Sequence, residues 1–176
     1  MKRLMAALDK GVTSYLMGHK AKIPHKAAKW VAIYYPDARV RKHYCSSIGV
    51  EMGEGTYANL GMKVIPSQKG ICVHIGRNVS IGPNVVFLAS TEPNNSEEMR
   101  QLPYVKEYLI RHEDIYIEDD AWLGANVTVF PGVRIGKFAI IGAGSIVRDN
   151  VLPYTIAAGS PAKAIRDIRT GKRINN

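Results

Sequence analysis

Three side chains in this sequence are of a kind that could take a proton from a substrate: His74, Glu92 and His112. An imidazole with an ordinary pKa of about 6.5 suits a general base near neutrality, whereas a carboxylate near about 4.3 does so only if burial raises it. His112 stands in Arg111-His112-Glu113-Asp114, three residues before Ile115. It reads as a base or an acceptor contact, the alternative being an exposed loop histidine. His74, in Val73-His74-Ile75-Gly76, points outward from a regular repeat and either lines an intersubunit face chemically or packs there. Glu92, in Thr91-Glu92-Pro93, is a base in a buried setting, an orienter of a histidine, or neither. His19, His25 and His43 lie apart from these, near the N-terminus. Cys45 and Cys72 have no C-x-x-C spacing, so neither a disulfide framework nor a zinc knuckle is indicated, and no metal is expected.

The elements that must hold these groups repeat every six residues. Ile117, Leu123, Val129, Ile135, Ile141 and Val147 stand six apart, and Ala121, Val127, Val133, Ala139, Ser145 and Val151 follow each by four. Ile75-Gly76, Ile81-Gly82 and Phe87 carry the same period, and Met52-Gly53, Ala58-Asn59 and Val64-Ile65 keep the step with poorer residues. Neither helix nor strand periodicity gives this spacing. Hexapeptides of this type predict a parallel β-helix, three to a triangular coil, with the aliphatic side chain filling the prism. The glycine after it is expected to tolerate unusual backbone angles. Exposed coil ends need caps, and flat outer faces invite threefold self-association.

The expected organisation is an N-terminal helical cap over 1–40, a β-helix over 41–155 and a C-terminal tail over 156–176. The coils begin between Asp37 and Cys45, and Pro66-Ser67-Gln68-Lys69-Gly70 turns between them. A long loop at about 88–114 interrupts the coils, and such excursions are usually functional or disordered. Residues 1–17 predict an amphipathic helix with Leu4, Leu8, Val12, Tyr15 and Leu16 on one face, weakened by Gly11 and ended by Gly18. Residues 24–35 predict a second helix between Pro24 and Pro36, with Trp30, Val31, Ile33 and Tyr34 packing it onto the body.

The formal net charge of +9 is unevenly placed: +8 over residues 1–45, −3 over 46–162 and +4 over 163–176. The plain reading is solvated helix faces; the functional ones are an anionic ligand, a glycan or weak contact of the basic N-terminal segment with an anionic membrane surface. No stacking motif accompanies the charge, so nucleic acid is not an expected partner. No apolar run is long enough to span a membrane, and neither that nor a signal peptide is predicted, which points to the cytoplasm.

Asp120-Ala121-Trp122-Leu123-Gly124-Ala125-Asn126, Pro131-Gly132-Val133-Arg134-Ile135-Gly136, Ile141-Gly142-Ala143-Gly144-Ser145-Ile146-Val147 and Ala158-Gly159-Ser160-Pro161-Ala162-Lys163-Ala164-Ile165-Arg166 carry a resemblance. Together they resemble the hexapeptide-repeat acyltransferases, most closely the maltose, galactoside, nodulation-factor and capsular-polysaccharide O-acetyltransferases. The resemblance implies an all-β, left-handed parallel β-helix in a homotrimer, with acetyl-CoA as co-substrate in a groove between subunits and a sugar or glycan hydroxyl as acceptor. It places the pantetheine arm along Gly124, Ala125 and Ala143. It places Lys163 and Arg166 near the CoA phosphates, where ammonium and guanidinium pair well with phosphate oxygens. The family's Thr-Lys after the Gly-Ala-Gly-Ser run is here Arg148-Asp149. Its catalytic Thr-His-Pro is here Thr91-Glu92-Pro93, and an Asn on an earlier coil is Gly61. The motif therefore names no base in this chain, which leaves His112, Glu92 and His74 as candidates. It also leaves two other functions: a catalytically degenerate binding or scaffold protein, and an amino-sugar N-acetyltransferase.

Overall fold

Residues Asn78 and Asn84, and later Asp120, Asn126, Gly132, Phe138 and Gly144, take left-handed backbone angles at six-residue intervals. Short polar side chains and glycine enter this conformation at least cost. Each such residue turns a corner between two short strands. The computed structural model describes residues 2–67 and 70–174, with side chains from residue 8 onward. Gln68 and Lys69 of the expected turn, and the Leu4 side chain, lie outside the described residues.

Three helices lead in: α1 (Lys2–Gly18), α2 (His25–Tyr34) and α3 (Ala38–Tyr44). The first coil is β1 (Val50–Met52), β2 (Tyr57–Ala58) and β3 (Lys63–Ile65), and the second is β4 (Val73–Ile75), β5 (Ser80–Ile81) and β6 (Val86–Leu88). An excursion follows, made of β7 (Ser90–Thr91), a short helix Glu97–Gln101, a turn of helix Val105–Leu109 and β8 (Arg111–His112). The third coil is β9 (Ile115–Ile117), β10 (Trp122–Leu123) and β11 (Thr128–Val129); the fourth is β12 (Arg134–Ile135), β13 (Ile140–Ile141) and β14 (Ile146–Val147). The described chain ends with β15 (Thr155–Gly159), β16 (Ala162–Asp167) and a few further residues.

Parallel pairing stacks the strands into three sheets. The first is β1-β4-β9-β12, the second β2-β5-β10-β13-β15 with β16 antiparallel at its end, and the third β3-β6-β11-β14. The register sets aliphatic on aliphatic: Ile81 under Leu123 under Ile141, and Phe87 under Val129 under Val147. The six residues that set the period, Ile117 to Val147, are each exposed by 2% or less. Burial at this level is worth roughly 1.5–3 kcal/mol per side chain, so the period is also the main energetic term.

The glycines after these aliphatics are not there for unusual backbone angles, contrary to expectation. None of Gly53, Gly76, Gly82, Gly124 and Gly136 has a positive φ. A Cβ added at any of them would meet an atom of the next coil at 2.4–2.6 Å. At these positions the coils stack too closely for any side chain.

The N-terminal segment departs from expectation in two ways. The chain does not enter the coils between Asp37 and Cys45; it forms α3 instead, and the first strand starts at Val50. Asp37 caps this helix by accepting from the Arg39 amide at 2.8 Å. Arg41 is buried on its inner face and donates to the carbonyls of Tyr35, Pro36 and Ala58, tying α2 and α3 to the first coil. Trp30 and Tyr34 do not pack α2 onto the body either. Ala28, Val31, Ala32 and Tyr35 make its inner stripe, leaving Trp30 58% and Tyr34 48% exposed. On α1 only Leu16 of the described apolar face is buried; Leu8, Val12 and Tyr15 face outward. The C-terminal segment is ordered as the β15–β16 hairpin over its first half rather than a free tail. Among the described residues no helix is long and apolar enough to cross a membrane.

Candidate active site

The outer face of the third sheet carries Val86, Thr128 and Ile146 in one column. One edge of this face is the corner that follows β10 and β13, where Gly124, Ala125 and Ala143 sit. The coils there are in close contact: the Gly144 amide donates to Ala125 O at 2.8 Å. The other edge is the corner that follows β11 and β14, where a cleft of about 420 Å³ opens. Phe130, Pro131, Arg148 and Asp149 form its floor, and Thr91, Tyr108 and Arg111 come from the excursion. Pro161, at the tip of the β15–β16 hairpin, closes it from above. The same tip is tied to the first edge, since the Gly159 amide donates to Ser145 Oγ at 3.2 Å. The outer face of the third sheet thus has glycine and alanine at one edge and, at the other, a cleft lined by a cation.

Arg148 is free to meet a ligand: its guanidinium lies 5.7 Å from the Phe130 ring centroid and is exposed. Lys163 is 62% exposed and faces Asp149 at the outer ion-pair limit of 4.0 Å. Arg166, on β16, donates to Gly171 O just beyond the hairpin. Among the CoA-side candidates only Arg148 lines the cleft itself.

The three candidate bases do not converge. His112 is on β8, paired with β7, and its Nδ1 is 3.0 Å from Ser90 Oγ. Alternate residues of such a ribbon face opposite ways. Thr91 and Arg111, paired with each other, turn to the cleft, so the paired Ser90 and His112 lie on the ribbon's other face. Glu92 is ion-paired with Arg100 at 3.3 Å. His74 is on the first sheet, between Glu51 at 2.5 Å on Nδ1 and Asp114 at 3.4 Å on Nε2, and it stacks on Tyr116 with centroids 4.8 Å apart. Partial burial alone would lower the His74 pKa, but the two carboxylates outweigh it and raise it above the ordinary value. With a carboxylate on each nitrogen, this imidazole favours its charged form.

Several participants escaped the sequence reading. Ser90 and Asp114 are ordinary loop residues by type, and Phe130 breaks the repeat only as a bulky residue in a position often held by glycine. Arg111 had a signal in its adjacency to His112. Among the described residues no group of three or more His, Cys, Asp or Glu is placed to hold a metal ion.

Residues 114–149 match the bacterial transferase hexapeptide (six repeats) family. This stretch of the chain carries the repeats of that transferase family. This hexapeptide-repeat protein is 37% identical over 120 residues to a galactoside O-acetyltransferase of Lactococcus lactis, a match spanning 68% of this chain and 53% of that one. It spans about half the length of the curated relatives it matches. Among solved structures it resembles a hexapeptide-repeat acetyltransferase of Vibrio cholerae complexed with acetyl coenzyme A, at 30% identity and TM-score 0.57 over 68% of this chain and 61% of that one. It also resembles a galactoside acetyltransferase in complex with coenzyme A, at 25% identity and TM-score 0.62 over 92% and 82% of the two chains.

Proposed function

We propose that this chain is a cytoplasmic acyltransferase on a left-handed β-helix, moving an acetyl group from acetyl-CoA to a sugar or glycan hydroxyl as a homotrimer. The observation that carries this reading is the cleft at the edge of the third sheet, with Arg148 in its lining. The glycine–alanine corner at the sheet's other edge suits a pantetheine arm, and Arg148 with Lys163 suits phosphate. The acetyl-CoA and coenzyme A complexes of similar structures support the same ligand. In the reaction the acceptor oxygen attacks the thioester carbonyl and a base takes its proton. The carbon–sulfur bond then breaks and the CoA thiolate leaves, taking up a proton. Holding both substrates in the cleft would supply much of the rate.

His112 is the base in this reading. Ser90 holds Nδ1 and leaves Nε2 for the acceptor. Because His112 lies on the ribbon face away from its own cleft, it would serve the cleft of a neighbouring subunit, in keeping with an intersubunit groove. Glu92, held by Arg100, and His74, held on both nitrogens, are positioning or structural groups. The Thr91-Glu92-Pro93 sequence and the ion pair at Glu92 favour a second reading, a scaffold that has lost its catalyst.

Calorimetric titration with acetyl-CoA decides between them. Binding is expected, and Arg148→Gln or Lys163→Gln should each weaken it about 10- to 100-fold, the worth of one charge-assisted hydrogen bond. A folded protein that binds no acetyl-CoA would sink the transferase reading and favour the scaffold.

A further inference from the structure

The first coil carries a second hollow, which shares no lining residue with the Arg148 cleft. It lies between α2 and β3 and has a volume of about 820 Å³. Ile33, Ile48, Val64 and Ile65 make an apolar floor beside Ser46, Ser47 and Ser67, whose hydroxyls are bonded to Lys20 Nζ, Tyr44 O and Asp114 Oδ1. A neighbouring hollow of about 550 Å³ shares His25, Ser46 and Ser47 with it and extends it to Lys20. Around the rim stand Lys20, His25, Lys29 and Lys63; among the described residues none that lines either hollow is acidic, with the Asp114 carboxylate standing behind Ser67. The 1–45 segment that supplies most of this rim holds a net +8.

The helix beside the trough is built the same way. His25, Lys29 and Ile33, four apart, face the trough. In the adjacent row Lys26 and Trp30 face outward and Tyr34, half exposed, also borders the trough; Trp30 and Tyr34 lie 6.2 Å apart between centroids. A lysine with tryptophan and tyrosine on one helix face is the composition that settles at a membrane–water interface. An apolar floor under a rim of amines and hydroxyls matches a phosphate headgroup and the first methylenes of its chains. The trough adjoins the excursion, since the Ala89 amide donates to Ile65 O at 2.9 Å and Ser67 Oγ lies 3.3 Å from Asp114.

We propose that the trough between α2 and β3 is a docking site for an anionic phospholipid, and that with the Lys26–Trp30–Tyr34 row it seats the protein on an anionic membrane surface. The lysines take the headgroup phosphate, the floor takes the chain, and Trp30 enters the interface. This assignment stands whether or not the chain transfers an acyl group.

The test is co-sedimentation of the full chain with vesicles of phosphatidylcholine alone or mixed with phosphatidylglycerol. Binding is expected only to the mixed vesicles and should weaken as salt rises. Lys29→Gln with Lys63→Gln should lower the partition coefficient about 30-fold, two lysines' worth of surface attraction. The same charge change at Lys172 and Arg173 should lower it less than threefold, which separates a site from net charge. In a Trp122→Phe background the Trp30 emission should shift to the blue on mixed vesicles and not with inorganic phosphate. No binding to mixed vesicles at low salt would overturn the proposal, as would equal losses from the two charge pairs. A Trp30 shift caused by inorganic phosphate alone would make the trough a simple phosphate site and overturn it. So would a Trp30→Ser variant that changes oligomeric state, because the row would then be covered by a second copy.

Discussion

Replacing Gly124 with alanine tests how the coils stack. The added Cβ would stand 2.6 Å from the Ala143 amide nitrogen, 2.8 Å from its Cα and 3.0 Å from Ile141 O. Ordinary contact begins near 3.4 Å, so the third and fourth coils must part locally by about 0.8 Å. Of the hydrogen bonds that cross this seam, three flank the glycine: Trp122 N to Ala139 O at 2.8 Å, Gly124 N to Ile141 O at 2.9 Å, and Gly144 N to Ala125 O at 2.8 Å. Opening the gap stretches all three beyond useful length. At about 0.5–1.5 kcal/mol net each, the cost is about 1.5–4.5 kcal/mol, a large share of an ordinary domain's stability. Urea unfolding should report that loss, and thermal unfolding a fall of about 3–18 °C for a chain of this length. Gly144→Asn is the companion variant. Gly144 has φ +71° with open space around its Cβ position, and Asn126 takes a left-handed angle at the same corner one coil earlier. Asparagine enters that conformation readily, so this variant should stay within about 0.5 kcal/mol of the parent. If Gly124→Ala unfolds at the parent's midpoint, or if Gly144→Asn is the more damaging, the close-approach explanation of the glycine period is wrong.

Three further outcomes follow from the side-chain geometry. His112→Gln should lower turnover about 10²- to 10⁴-fold with acetyl-CoA affinity unchanged; unaltered turnover removes His112 from the chemistry. Glu92→Gln should leave turnover within about threefold, since it loses only a partly exposed ion pair with Arg100. The His74 pKa is raised in the folded protein above its ordinary 6.5, so its contribution to stability is complete below 6.5 and fades as pH rises through the folded value. The stability gap between parent and His74→Gln, followed by urea midpoints, should therefore shrink from acid to alkaline pH. A gap that is constant or grows with pH would contradict the Glu51–His74–Asp114 contacts.

The six-residue spacing of Ile117 through Val147 was enough to establish stacked coils, because each aliphatic fills the prism by virtue of its own position in a local repeat. The excursion was legible for the complementary reason, since the repeat stops at Leu88 and resumes at Ile115. What the glycines do was not, because the atoms that exclude a Cβ at Gly124 belong to Ala143 and Ile141, a full coil away. α3 was hidden in the same way: its buried Arg41 looks like a surface charge until Tyr35, Pro36 and Ala58 bring their carbonyls to it. His74 gains its carboxylates from Glu51 and Asp114, far away in sequence but close once the coils are stacked. The sequence by itself thus determined the repeat, its core and the family resemblance, all of which are properties of one hexapeptide copied along the chain. Tertiary structure alone decided which side chains share a site. Stacking sets residues of successive coils about 4.8 Å apart, and the two-residue alternation of the β7–β8 ribbon turns Arg111 toward the cleft and His112 away from it.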